Sequence, residues 1–271
     1  MERHKDTNKN YITIDWYFFR VNNNCNLNSL HNNELLIPYK HTNIHIQDSS
    51  YKEVPLTLNN TNFVFKNSNQ ENVVNIITVK IDENIDFYKY IKVLDAIHVN
   101  KILSFQYYKN QVVEFYSCYL KSFYLAKKYL NTSLPVNNLI IFNSCGKPML
   151  KPPYNNIYFN ISHNSKYVTL AISQKLRVGI DIEEKQKNTL NIVSKVLSNA
   201  EKLAINSAKN TPFLLLWTKK EAYLKALGVG FKNNSYKNTN LTLQFCENTP
   251  KYLIYSKFIE AKHCVSICLL K

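Results

Sequence analysis

Residues 178–183, which read Val-Gly-Ile-Asp-Ile-Glu, restrict the chain more than any other segment. A period of two places the three β-branched apolar side chains on one face of a strand and Asp181 with Glu183 on the other. Two carboxylates that project side by side repel each other, so one must keep its proton, stay solvated or bind a cation. The segment therefore predicts either the solvated face of a half-buried strand or a site for a hard cation such as Mg²⁺, which prefers oxygen ligands.

A helix predicted over residues 213–227 carries Glu221 inside an otherwise apolar stripe. Trp217 and Leu224 flank this carboxylate at helical spacing. A carboxylate that faces a core is costly unless it is paired or bound to a metal, so we expect Glu221 to point at a cation or at Lys225, four residues on. The alternative is an ordinary helix salt bridge between Glu221 and Lys225.

The order of the predicted strands and helices indicates an α+β fold. Residues 73–81 and 157–161 predict strands, and residues 88–130 predict long helices. The remaining segments predict two strands joined by a short turn, two helices and three further strands: 167–173, 176–183, 190–206, 213–227, 241–246, 252–258 and 264–270. Ser198 and Glu201 have the spacing of a capping box at the start of a helix.

Three segments of different character divide the chain. Residues 1–72 are rich in Asn and Lys, so we interpret them as an N-terminal extension or an elaborated edge, with a short strand in it. The Gly146-Lys147-Pro148 turn and the prolines that follow it mark a connection between two halves. We expect a first half over residues 73–150 and a second half, with the acidic motifs, over residues 151–271.

The charge balance favours an anionic partner. The 34 Lys and Arg residues against 19 Asp and Glu residues leave a net charge of +15, which suits phosphate-rich ligands, acidic proteins, nucleic acid or anionic membranes. No stretch approaches the roughly 20 apolar residues of a membrane span, and the N-terminus lacks the apolar part of a signal peptide. The six cysteines have no metal-ligand spacing. We therefore expect a soluble cytoplasmic protein.

Three motifs occur in a fixed order along the second half: FNISHN at residues 159–164, VGIDIE at 178–183 and WTKKEAYLK at 217–225. Their order and spacing resemble those of the 4'-phosphopantetheinyl transferases of the Sfp type. The Gly146-Lys147-Pro148 turn, the Leu-Lys-Ser segment at 120–122 and the capping-box pattern also fit. The resemblance covers residues 73–270.

The resemblance implies a pseudo-dimer of two similar α+β halves with the active site in the cleft between them. It implies an enzyme that transfers the 4'-phosphopantetheine group of coenzyme A to a serine hydroxyl of an apo acyl or peptidyl carrier protein and releases 3',5'-ADP. Magnesium is the implied cofactor. We further expect a monomer that binds neither nucleic acid nor membrane.

The family's functional positions transfer to this chain residue by residue. The resemblance implies that Mg²⁺ is held by Asp181, Glu183 and Glu221. Coenzyme A contacts fall on Lys147, Ser162, His163, Lys225, Lys121 and Lys101, of which the last two match positions near the 3'-phosphate. The catalytic positions are His163, Lys225 and Glu221, with Glu221 as the candidate base. This chain departs from the family in having Asn164 after the histidine and Lys121 where arginine is common, and a lysine lacks bidentate phosphate geometry.

Two other functions remain open at this point. Asp181, Glu183 and Lys185 loosely resemble the acid-x-lysine site of a magnesium nuclease, and the positive charge would suit DNA. Such sites usually need an acidic residue from an earlier strand, and none is placed here. A non-catalytic relative that only binds coenzyme A or a carrier protein is the second alternative.

Overall fold

Most of the predicted strands belong to two sheets whose pairings are mainly antiparallel. The structure, a computed structural model, describes residues 12–21, 35–47, 50–56, 73–185, 196–207, 212–230 and 239–271. Within these ranges, no helix has the length and apolar character that a membrane crossing needs. The mixture of sheets and helices confirms the α+β class.

The larger sheet has six strands in the order β3-β2-β1-β4-β8-β7. All its pairings are antiparallel except that of β1 with β4, which is parallel. The bounds are β1 Ile12–Val21, β2 Leu36–Gln47, β3 Ser50–Leu56, β4 Val73–Lys80, β7 Tyr158–His163 and β8 Tyr167–Ser173. These strands come from all three segments of the chain, and the division at residues 72 and 150 stays a prediction.

The smaller sheet has four antiparallel strands in the order β10-β11-β12-β9. Its bounds are β9 Arg177–Glu184, β10 Cys246–Asn248, β11 Tyr252–Ile259 and β12 His263–Leu270. A two-stranded sheet, β5 Ile140–Phe142 with β6 Pro148–Leu150, holds the Gly146 turn between its strands. The predicted strands at 167–173 and 176–183 are therefore present, but they belong to different sheets.

The helices pack on the outer faces of these sheets. Their bounds are α1 Ala96–Leu103, α2 Tyr108–Tyr119, a π-helix Leu120–Tyr129, α3 Val136–Leu139, α4 Asn199–Ser207 and α5 Pro212–Leu227, with 3₁₀ turns at Phe87–Lys89 and Ile91–Val93. The predicted capping box is confirmed, because Ser198 N–H donates to Glu201 Oε2 at 2.8 Å and Glu201 N–H donates to Ser198 Oγ at 3.2 Å.

Side chains join the two sheets where the edge strands β7 and β9 meet. Asn160 Oδ1 accepts from the backbone N–H of Ile180 at 2.8 Å, and Ser162 Oγ accepts from that of Ile182 at 3.3 Å. Both partners are buried, so these bonds satisfy backbone donors that no neighbouring strand reaches. The FNISH motif thus anchors the strand that carries Asp181.

Helix α5 lies directly on β9 because position 179 has no side chain. A Cβ on Gly179 would lie 2.1 Å from the Ala222 carbonyl oxygen and 2.3 Å from the Ala226 nitrogen. We expect Gly179→Ala to lower the free energy of unfolding by about 2–3 kcal/mol, since two backbones would have to separate. Urea denaturation measures this loss, and a change within experimental error would contradict the close approach.

Two consecutive lysines of α5 are fully buried in ion pairs. Lys219 Nζ lies 2.5 Å from Glu247 Oε2, and Lys220 Nζ lies 2.5 Å from Glu201 Oε2. Lys219 also donates to the carbonyl oxygens of Thr242 and Gln244. Buried lysines need such partners because a desolvated ammonium is costly.

The strand predicted over residues 241–246 is wrong, since β10 begins only at Cys246. The backbone at Leu241 and Thr242 bonds to buried charges, whereas the Phe245 carbonyl oxygen accepts from the Ser256 N–H of β11 at 2.7 Å. Leu241 N–H donates to Glu201 Oε1 at 2.9 Å, and Thr242 N–H donates to Glu247 Oε2 at 3.1 Å. Leu241 and Leu243 still pack into the core, which explains the strand-like pattern, whereas Phe245 is exposed.

Candidate active site

One cavity of about 330 Å³ collects most of the predicted site residues. β7, β9 and α5 form one side, and α1, α2 and the π-helix form the other. The lining residues are Lys101, Glu114, Ser117, Lys121, Ile161, Ser162, His163, Asp181, Glu183, Glu221 and Lys225. All three predicted metal ligands are among them.

Asp181 is the most deeply buried carboxylate of the cavity, at 2% exposure. Its Oδ1 accepts from the Lys225 ammonium at 2.6 Å and from Ser162 Oγ at 3.0 Å. Its Oδ2 is buried and has no hydrogen-bond partner among the described residues. A buried carboxylate oxygen without a donor is costly, so this atom is suited to a cation.

Glu183 and Glu221 complete the acidic side of the cavity. Burial and the charge of Asp181 raise the pKa of Glu183 above the usual carboxyl range. The same causes, burial first, raise the pKa of Glu221 to about 7. Trp217 Nε1 donates to Glu183 Oε1 at 3.4 Å. Each raised pKa reports negative charge that has too little compensation in the folded protein.

The acidic side chains do not form a closed metal cage. Among the residues that the structure describes, no three His, Cys, Asp or Glu side chains converge closely enough to enclose an ion. Lys225 pairs with Asp181 rather than with Glu221, its neighbour on the helix. The ammonium thereby supplies part of the positive charge that the carboxylates require.

Ser162 and His163 stand at the end of β7. The Ser162 hydroxyl is fully used, because it donates to Asp181 and accepts from Lys225 at 3.1 Å as well as from the Ile182 backbone. His163 is exposed at the mouth of the cavity. Partial desolvation by the cavity walls lowers its pKa, although nearby Glu114 acts in the opposite direction. His163 is therefore largely neutral at pH 7.

Lys101 and Lys121 reach the cavity from the helical side, together with Glu114, which sequence reasoning missed. Lys101 Nζ lies 2.8 Å from Glu114 Oε1, and this ion pair, against the effect of burial, lowers the pKa of the carboxyl group. The signal in the sequence was the spacing of Glu114, Ser117 and Lys121 by three and four residues, which puts them on one helix face.

The structure places Lys147 outside this cavity. It lines a separate cavity of about 490 Å³, and its ammonium donates to the carbonyl oxygens of Val178 at 3.1 Å and Ala226 at 2.9 Å. Burial, with Arg177 nearby, lowers the pKa of Lys147 to about 8. In this arrangement Lys147 connects the β5–β6 turn to β9 and α5.

A family model and a similar known protein identify the class of this chain. A family model described as the 4'-phosphopantetheinyl transferase superfamily matches residues 177–268, which include Asp181, Glu183, Glu221 and Lys225. The 4'-phosphopantetheinyl transferase gsp of Aneurinibacillus migulanus is 32% identical over 212 residues, which are 73% of this chain and 86% of that protein.

Two further relatives match over shorter stretches. The human L-aminoadipate-semialdehyde dehydrogenase-phosphopantetheinyl transferase is 28% identical over 51% of this chain and 56% of its own length. A 4'-phosphopantetheinyl transferase of Bacillus subtilis is 32% identical over 31% of this chain and 39% of its own length. The chain belongs to the 4'-phosphopantetheinyl transferase superfamily. It is a transferase that moves the 4'-phosphopantetheine group of coenzyme A to a serine of a carrier protein.

Proposed function

We propose that the cavity between the sheet edges and α1–α2 is the active site, and that it is the cleft between the two similar halves that the family resemblance implies. The observation that carries this proposal is the orphaned Asp181 Oδ2 beside two carboxylates of raised pKa. Lys101 and Lys121 face these carboxylates across the same 330 Å³ space. Acidic and basic walls in one cavity suit a polyphosphate bound through a cation.

In this proposal Asp181, Glu183 and Glu221 hold Mg²⁺. The donor chemistry suits the ion, because the three residues supply only oxygen donors and one of those donors is buried without a partner among the described residues, although the three side chains as placed do not enclose an ion by themselves. The ion would supply charge neutralisation at the pyrophosphate of coenzyme A.

The chain's own residues account for the rest of the reaction. The carrier serine oxygen forms a bond to the β-phosphorus, and the bond from that phosphorus to the oxygen of 3',5'-ADP breaks. Glu221, which lines the cavity beside Asp181 and Lys225, takes the serine proton. Lys225 stabilises the departing phosphate oxygen, and His163 donates to a phosphate from the cavity mouth.

The carrier is an apo acyl or peptidyl carrier protein in this proposal, and the enzyme acts as a cytoplasmic monomer. The charge of +15 supports an acidic protein partner, since opposite charges accelerate association. The test is incubation of candidate apo carriers with coenzyme A, Mg²⁺ and this protein, followed by mass spectrometry. We expect the phosphopantetheine mass increase and release of 3',5'-ADP. Binding of coenzyme A without release would support the non-catalytic alternative.

Mg²⁺ should stabilise the protein more strongly at pH 8 than at pH 6. A raised carboxyl pKa means that the folded protein binds the proton more tightly than the unfolded chain, so metal-free stability falls as the pH rises towards about 7. Above that pH Glu221 is ionised and no proton competes with the ion. Melting temperatures with and without Mg²⁺ measure the difference, and Glu221→Gln should remove most of its pH dependence. An equal shift at both pH values would contradict the role of Glu221.

A further inference from the structure

The side of the cavity formed by α1, α2 and the π-helix, which we call the helical wall, contains a hydroxyl group that neither the family motifs nor the proposed reaction uses. Ser117 lies on α2 between Glu114 and Lys121, and all three side chains line the cavity. Ser117 is only 3% exposed. Its Oγ is buried and has no hydrogen-bond partner among the described residues.

This lack of a partner is unusual for a serine inside a helix. Such a hydroxyl normally donates to the carbonyl oxygen four residues earlier, which for Ser117 belongs to Val113. A buried hydroxyl that makes no hydrogen bond destabilises the folded protein. An unpaired hydroxyl at the wall of a cavity is explained if a bound ligand supplies its hydrogen-bond partner.

The charges around Ser117 indicate the chemistry of that ligand. Lys101 and Lys121 present ammonium groups to the same wall, and the ion pair with Glu114 holds Lys101 in place at 2.8 Å. Ammonium groups and a hydroxyl donor together bind phosphate oxygens. In the proposed function the pyrophosphate of coenzyme A binds on the side of the cavity that carries Asp181, Glu183 and Glu221. The opposite side, formed by α1, α2 and the π-helix, is then left for the 3'-phosphate.

We infer that Ser117 is a substrate-binding residue whose hydroxyl donates a hydrogen bond to the 3'-phosphate of coenzyme A. The inference rests on the proposed function, because it takes coenzyme A as the ligand of this cavity. It adds a neutral donor to the two lysines that the family resemblance suggested for this phosphate.

The test compares Ser117→Ala with the parent enzyme on coenzyme A and on 3'-dephospho-coenzyme A. We expect KM for coenzyme A to rise about tenfold with little change in kcat, since a hydrogen bond to a charged group is lost on binding. With 3'-dephospho-coenzyme A the two enzymes should have the same KM. Ser117→Thr, which keeps the hydroxyl, should restore most of the affinity for coenzyme A.

The melting temperature of the ligand-free protein distinguishes a binding role of Ser117 from a structural role. The ligand-free Ser117→Ala protein should melt no lower than the parent, because the substitution removes an unpaired buried hydroxyl. Ser256→Ala is the matched control: Ser256 is equally buried, its Oγ lies 2.8 Å from Ser266 Oγ, and it lies outside the cavity. The control should lower the melting temperature and leave KM unchanged.

Three results would overturn the inference. An unchanged KM for coenzyme A would remove Ser117 from the binding site, and an equal rise with both substrates would assign the contact to another phosphate. A lower melting temperature of ligand-free Ser117→Ala would indicate an intramolecular partner. Should the parent fail to transfer phosphopantetheine, the proposed function fails separately, and calorimetric titration with coenzyme A still tests the Ser117 contact.

Discussion

Asp181→Asn is expected to reduce kcat/KM for phosphopantetheine transfer by about a thousandfold. The substitution keeps the shape of the side chain, and its remaining oxygen still accepts from Lys225 and Ser162 as Asp181 Oδ1 does. The charge that attracts the cation is lost, so the fold should survive while the reaction does not. The rate of carrier modification, followed by mass spectrometry, measures the effect, and circular dichroism checks the fold.

Glu184→Gln is the matched control for this prediction. Glu184 is the next carboxylate on β9, accepts from Ser165 Oγ at 3.0 Å and is absent from the cavity lining. This variant should retain activity within about twofold, because Glu184 lies outside the cavity lining. Glu221→Ala should inactivate the enzyme as Asp181→Asn does. Activity retained in purified, folded Asp181→Asn would refute the metal assignment.

Lys220→Met should lower the free energy of unfolding by about 3–5 kcal/mol, the largest stability effect expected for this chain. Both side chains of the Lys220–Glu201 pair are fully buried. Removal of the ammonium leaves a desolvated carboxylate that also caps α4 and accepts from Leu241 N–H. Urea denaturation at pH 7 measures the loss.

Two variants separate this effect from general damage. Lys80→Met breaks the exposed Lys80–Glu260 pair and should cost less than about 0.5 kcal/mol. The double variant Lys220→Met/Glu201→Gln should recover part of the lost stability, because a neutral amide can still cap α4. If Lys220→Met were as mild as Lys80→Met, the buried pair would have no role in stability.

The acidic side of the site could be predicted because each element carries its own periodicity. Alternation in residues 178–183 fixed the common face of Asp181 and Glu183, and the helical stripe fixed Glu221. That they face one another required the packing of α5 on β9, which depends on Gly179. The resemblance to a known family, which rests on the order of the motifs, predicted that these carboxylates lie together. The local periodicity of each element could not predict this.

The helical side of the site was less predictable, since its residues are ordinary on a helix. Glu114 follows Val113 and precedes Phe115, and no local pattern indicates that this buried carboxylate pairs with a lysine of α1. The strand prediction for residues 241–246 was wrong for a related reason. Glu201 and Lys219, which are distant in the sequence, bind the backbone of this segment. Long-range charge pairs leave no period in a sequence.

The strand order of the larger sheet also has a consequence during protein synthesis. β1 and β4 leave the ribosome early, but the second neighbour of β4 is β8, and Val74 pairs with Ser173. At roughly 5–20 residues per second, the free edge of β4 waits roughly 5–20 s for its partner. An apolar strand edge that stays open for this time invites pairing with other nascent chains. We therefore expect the yield of folded enzyme to depend on the rate of translation and on the local concentration of nascent chains.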